Sequence, residues 1–211
     1  MSKKVTAIGF DLDGVLINSL PSMQKAWEEV NSKCDVDTPF AAYESYIGFP
    51  FKDILTFLNL SDRYEEIFSI YFDATKRYSH LVEVYPGVLD VLGMLRDRQV
   101  PLFIVTSKPR IAASTLLHNL NIQVDLLVCP EDVLRGKPHI DSALFVKQHL
   151  NLCGSRIIFV GDMPVDREFA TKSDFVFCYA SYGYGMDEFS PTSTELIISS
   201  PSELLKVLDL T

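Results

Sequence analysis

The chain has 211 residues, 47% of them hydrophobic and 22% charged, with a formal net charge of −9. That balance excludes a disordered chain and suits one large domain, or a core domain with a smaller insert. The acidic surplus disfavours nucleic acid and anionic membrane as partners, because like charges repel over the screening length. It leaves room for an anionic ligand in a pocket where lysines, backbone N–H groups and a bound cation reverse the local sign.

Residues 5–10 are a short apolar run that stops at Asp11-Leu12-Asp13-Gly14. Such a run reads as a buried parallel strand feeding a loop. Similar runs at 102–105, 126–128, 157–160 and 175–178, with a further candidate at 195–198, each stop at polar or turn-forming residues. Helical periodicity fills the gaps at 88–98, 111–119, 140–149 and 166–172, so the pattern predicts βαβ units and a parallel sheet. From about 20 to 84 no buried strand is legible. That interval carries helical patterns at 22–30, 40–46, 51–58 and 64–78, with Ile67, Phe68, Tyr71, Phe72 and Tyr78 at three- and four-residue spacing. Tyr85-Pro86-Gly87 is a turn that returns the chain to the core.

The four cysteines, Cys34, Cys129, Cys153 and Cys178, are scattered, with no CxxC pair and no Cys/His metal spacing. The N-terminal stretch is too short for a signal-peptide core, and no apolar run is long enough to cross a bilayer. These features predict a reduced, cytoplasmic protein, either a monomer or a homodimer.

In open parallel sheets, ligands bind beyond the carboxyl ends of the strands. There the sequence places Asp11 and Asp13, then Thr106, Ser107 and Lys108, then Lys137, then Asp162 and Asp166. A strand-end carboxylate can attack a phosphoryl group, and a hard cation such as Mg²⁺ can neutralise the phosphoryl oxygens. Asp11 with Asp162 could seat the cation. A hydroxyl of Thr106 or Ser107 and the ammonium of Lys137 could hold the remaining oxygens. Asp13 could protonate the leaving oxygen and then activate water, and Gly14 could let the backbone approach the phosphate. Taken singly, each of these residues reads more readily as a cap, a turn or a solvated side chain. Their convergence from four loops distant in sequence makes the chemical reading the better one.

These residues resemble the haloacid dehalogenase superfamily. Its first motif is similar to Asp11-Leu12-Asp13-Gly14-Val15, its second to Val105-Thr106-Ser107-Lys108, its third to Gly136-Lys137-Pro138-His139, and its fourth to Gly161-Asp162-Met163-Pro164-Val165-Asp166. The segments 17–21, 47–50 and 182–185 resemble the phosphoglycolate phosphatase subgroup. The resemblance implies an α/β fold: a Rossmann-like parallel-sheet core from 1–17 and 85–211, and a helical cap inserted after the first strand from 18–84. It implies Asp11 as nucleophile and Mg²⁺ ligand, Asp13 as general acid/base with its carbonyl a further ligand, Thr106 or Ser107 and Lys137 as phosphate binders, Asp162 as Mg²⁺ ligand, and Asp166 on a metal-bound water or behind the ligands. Asn18, Val15 and Ile140 depart from common family residues, and the cap loop Gly48-Phe49-Pro50-Phe51-Lys52 lacks an arginine found in some sugar-phosphate enzymes.

The activity implied is Mg²⁺-dependent hydrolysis of a small phosphorylated metabolite, phosphoglycolate-like or a sugar phosphate, through an aspartyl-phosphate. The alternatives are a phosphomutase of the β-phosphoglucomutase type and a non-catalytic protein that binds a phosphorylated metabolite. Asp13 argues against dehalogenation and phosphonate cleavage, whose enzymes in this superfamily lack that acid. Within the cap, Gly48, Phe51 and Lys52 are the candidate specificity residues, and with Phe49 and Tyr43 they suggest an apolar, partly cationic lid. Hinges are expected near 17–21 and 84–87.

Overall fold

A computed structural model describes residues 5–152, 156–185 and 195–209; Cys153 lies outside them. The chain runs β1 (Val5–Phe10), β2 (Ile17–Asn18), α1 (Leu20–Cys34), α2 (Phe40–Glu44), α3 (Phe51–Phe57), α4 (Tyr64–Arg77), β3 (Glu83–Val84), α5 (Val88–Asp97), β4 (Leu102–Val105), α6 (Arg110–Asn119), β5 (Leu126–Val128), α7 (Asp141–His149), β6 (Arg156–Gly161), α8 (Pro164–Lys172), β7 (Val176–Ala180), β8 (Leu196–Ile198) and α9 (Glu203–Asp209).

Six strands form one sheet in the order β5-β4-β1-β6-β7-β8. Every neighbouring pair in it is parallel. The strands read as unbroken apolar runs because both faces are covered. On one face Ile8 and Phe10 pack with Val91, Leu95, Leu116 and Leu204, drawn from α5, α6 and α9. On the other, Ala7, Phe103 and Phe159 pack with Val146 and Phe169, drawn from α7 and α8. The result is a three-layer α/β sandwich with β1 central, so Asp11 leaves the sheet at its middle.

Between β2 and β3 the structure is helical, as the periodicity predicts. Trp27 of α1 is fully buried and stacks on Tyr43 at 4.6 Å, and Ile54, Leu55, Ile67 and Ala74 complete a second core. Burying side chains of this size stabilises by about 1.5–3 kcal/mol each relative to exposure. Met163 and Val165, from the start of α8, also belong to this cluster, so it reaches down onto the sheet's carboxyl end.

One feature was invisible to the periodicity. β2 and β3 pair antiparallel, Ile17 with Val84 and Asn18 with Glu83. Two-residue strands carry too short a pattern to read, yet this ladder ties the chain's exit into the helical segment to its return.

Candidate active site

β1 ends where the Asp11 N–H donates to the Val160 carbonyl at 2.9 Å. The chain then folds into a tight loop in which Gly14 N bonds Ile17 O at 2.8 Å and Leu16 N bonds Leu12 O at 3.0 Å. Leu12 and Val15 point fully into the core. With the apolar residues anchored, Asp11 and Asp13 face the carboxyl end of the sheet.

At the end of β6, Pro164 occupies the first turn of α8 and Asp166 its third position. Asp166 Oδ2 accepts the N–H groups of Met163 at 3.1 Å and Asp162 at 3.2 Å, which fixes the loop. Its other oxygen, Oδ1, accepts Lys137 Nζ at 2.6 Å. Lys137 also donates to Asp11 Oδ1 at 2.7 Å. Asp166 thus acts as a clamp between the fourth loop and Lys137, with both oxygens committed.

Asp11, Asp162 and Asp166 each offer a carboxylate oxygen within 4.8 Å of the other two. All three are buried, at 3%, 0% and 0% exposure, as is Lys137 at 2%. A buried anion is costly unless it is paired. Burial, with Asp166 and Asp13 nearby and Lys137 opposing, pushes the Asp11 carboxyl up to about 7. Burial and the neighbouring carboxylates likewise hold Asp162 well above the ordinary range. Burial alone would depress Lys137, yet Asp11 and Asp166 outweigh it and keep the ammonium charged.

Asp162 Oδ2 accepts the Tyr184 N–H at 2.7 Å, while its Oδ1 is buried with no partner among the described residues. An orphaned carboxylate oxygen inside an acidic cluster is the donor set a hard divalent cation takes, so the residues fit one. Two glycines make room for Asp162. A Cβ on Gly14, whose φ is +86°, would lie 2.1 Å from Asp162 Oδ2, and one on Gly183 would lie 2.4 Å from the Asp162 Cβ. Besides the backbone approach to phosphate expected of it, Gly14 has a steric reason to lack a side chain: the space seats Asp162.

Asp13 Oδ1 accepts Ser19 Oγ at 2.5 Å and lies 3.2 Å from Lys108 Nζ. The sequence places Lys108 on this rim without a role, and Ser19 only within the segment 17–21. Ser19 occupies the N-cap position of α1, but its side chain makes no cap bond and turns to Asp13 instead. Thr106 is buried, and its Oγ1 accepts the Lys108 N–H at 3.1 Å. Ser107 behaves differently from its neighbour: its hydroxyl donates to the Gly48 carbonyl at 2.6 Å, linking the β4 loop to the helical segment.

Above Asp11 and Asp13 lies a pocket of about 70 Å³, walled by Thr106, Ser107 and Lys108 below and by Tyr43, Gly48, Phe49, Phe51 and Tyr71 above. Gly48 and Phe51 line it. Lys52 does not: it is exposed on α3 and absent from the walls. A helix places consecutive residues about 100° apart, so with Phe51 turned inward Lys52 turns out. The upper walls are apolar and aromatic, and Lys52 is not among them.

The family described as haloacid dehalogenase-like hydrolase matches residues 8–180. The chain belongs to that family. It is 27% identical to a phosphoglycolate phosphatase of Chromobacterium violaceum over 98% of this chain and 97% of that protein. It is 25% identical to an N-acetylmuramic acid 6-phosphate phosphatase of Pseudomonas aeruginosa over 98% and 96% of the two chains. A crystal structure of a hydrolase from Pseudomonas syringae superposes with a TM-score of 0.83 at 22% identity, covering 97% of this chain and 98% of that one. That hydrolase shares the fold, with the insert after the first strand included in the overlap. No helix among the described residues is long and apolar enough to cross a membrane.

Proposed function

We propose that this haloacid dehalogenase-like hydrolase is a Mg²⁺-dependent phosphatase that hydrolyses a small phosphorylated metabolite through an aspartyl-phosphate on Asp11. The observation that carries the reading is the Asp11–Lys137–Asp166 ion-pair chain set beside the unpartnered Asp162 oxygen. Phosphatase relatives that match nearly the whole chain support it. Mg²⁺ would be held by Asp11, Asp162 and the Asp13 carbonyl, with Asp166 behind them, and would neutralise charge on the phosphoryl oxygens.

Lys137 occupies Asp11 Oδ1, which leaves Oδ2 to attack phosphorus. As the Oδ2–P bond forms, the ester P–O bond breaks, and protonated Asp13 gives its proton to the departing oxygen. Asp13, now a carboxylate, takes a proton from water. The resulting hydroxide oxygen bonds phosphorus, the Oδ2–P bond breaks, and inorganic phosphate leaves. Net, ester and water become alcohol and phosphate, and the enzyme is restored. Thr106 and Lys137 hold phosphoryl oxygens, where charge develops. The helical segment 18–84 acts as a cap over the core, swinging about the β2–β3 ladder to exclude bulk water.

The test is phosphate release from a panel of phosphorylated metabolites, with Mg²⁺ and with chelator, beside Asp11→Asn. Release that needs Mg²⁺ and Asp11 is expected. An isomerised product without phosphate release would make the chain a mutase, and retained ligand binding without turnover would make it a binding protein.

A further inference from the structure

The roof of the pocket carries two tyrosine hydroxyls among apolar groups. Tyr43 and Tyr71 are buried, at 3% and 6% exposure, and their hydroxyl oxygens lie 2.7 Å apart. Such a pair has two hydrogens, and the mutual bond uses one. Neither hydroxyl has a further partner among the described residues, so one O–H remains to donate into the pocket that both rings line. Burial, with Asp13 nearby, raises both phenols above their ordinary range, so they stay neutral donors. The rings are rigidly held: Tyr43 stacks on Trp27, and Tyr71 stacks on Phe51 at 4.7 Å.

The charge on the walls is as informative. Among the described residues Lys108 is the one cation lining this pocket, and its ammonium already faces Asp13. Lys52 points away, and the stretch 186–194 contains neither Lys nor Arg. A carboxylate one carbon beyond the ester-bearing carbon would therefore enter a roof of Tyr43, Ile47, Phe51, Ile54 and Tyr71, above two aspartates. An anion buried in that roof finds no free counter-charge, because the one ammonium on the walls is already engaged by Asp13. A neutral group with one oxygen acceptor meets the free O–H and buries its carbons on the rings.

We propose that Tyr43 and Tyr71 select the leaving group, and that the substrate is a phosphate monoester of an uncharged alcohol carrying an oxygen acceptor near the ester, not of a hydroxy acid. The inference rests on the phosphatase reading of the same site. It separates this chain from the relatives named for phosphoglycolate. Longer leaving groups have a path outward: Met23, Phe72, Thr75 and Lys108 also wall an adjoining cavity of about 430 Å³.

The test compares 2-phosphoglycolate with its neutral isostere 2-phosphoglycolamide and with ethyl phosphate, which lacks the acceptor, on the full chain with Mg²⁺. The amide should exceed the acid in kcat/KM by about tenfold or more, the scale of specificity set by matched buried polar groups. In Tyr71→Phe and Tyr43→Phe, folded by circular dichroism, the ratio of amide to ethyl phosphate should fall about three- to tenfold, the worth of one neutral hydrogen bond. Because that ratio compares two substrates in one variant, a merely structural defect leaves it unmoved. Acid turned over as well as amide, or a ratio unchanged in both variants, overturns the proposal while leaving the phosphatase reading intact. No phosphate released from these three or from any other monoester overturns that reading and the inference with it.

Discussion

Ser19 Oγ donates to Asp13 Oδ1 at 2.5 Å, and the Ser19 N–H donates to the Tyr184 hydroxyl at 2.7 Å. Ser19 lies between β2 and α1, where the chain enters its helical segment, so the proposed acid/base is aligned from that crossing. Ser19→Ala should lower kcat about tenfold with little change in KM, the scale of a lost hydrogen bond to a charged group, and Ser19→Thr should restore most of it. Steady-state kinetics of both variants decide this; an alanine variant with unchanged kcat removes Ser19 from the machinery.

Asp11→Asn should abolish turnover and yet stabilise the metal-free protein at alkaline pH. Asp11 is raised from 3.8 to about 7 when folded, first by burial. Between those values the native state binds a proton that the unfolded chain does not. This group's contribution therefore falls as pH rises through about 4 to 7 and is unfavourable above 7. In chelator, the variant's Tm advantage should be full at pH 8 and should vanish as pH approaches 4. A variant less stable than the parent at pH 8 would contradict the sign.

Lys137→Ala removes the cation that Asp11 and Asp166 share and leaves buried carboxylates unpaired. Breaking a buried pair from one side costs about 3–5 kcal/mol. Urea unfolding at pH 7 should show that loss, and kcat/KM should fall with it. Full stability would mean that water reaches the cluster.

Gly183→Ala should raise the Mg²⁺ concentration needed for half-maximal activity, because its methyl would crowd both Asp162 and the Gly14 carbonyl, 2.6 Å from the added carbon. A magnesium titration reads this directly. Lys52→Ala, by contrast, should keep kcat/KM within about twofold of the parent, as substitutions away from packed or paired features usually do.

Much of this protein was fixed by short-range pattern. The six strands of the sheet, four of the helices on it and the four helices of the insert sit within a few residues of where period and turn residues place them, because burial on two faces or one leaves a periodic trace. Asp11, Asp13, Lys137, Asp162 and Asp166 were legible as strand-end residues of one rim. Only the tertiary structure decided their partners. That Asp166 clamps Lys137, that Ser19 serves Asp13 and not a helix end, that Gly14 and Gly183 hollow out a place for Asp162, and that Lys52 leaves the lid to two tyrosines all depend on contacts between residues far apart in the chain. Local sequence sets which face of an element is apolar, and the packing of that face against a distant one sets where each polar group points.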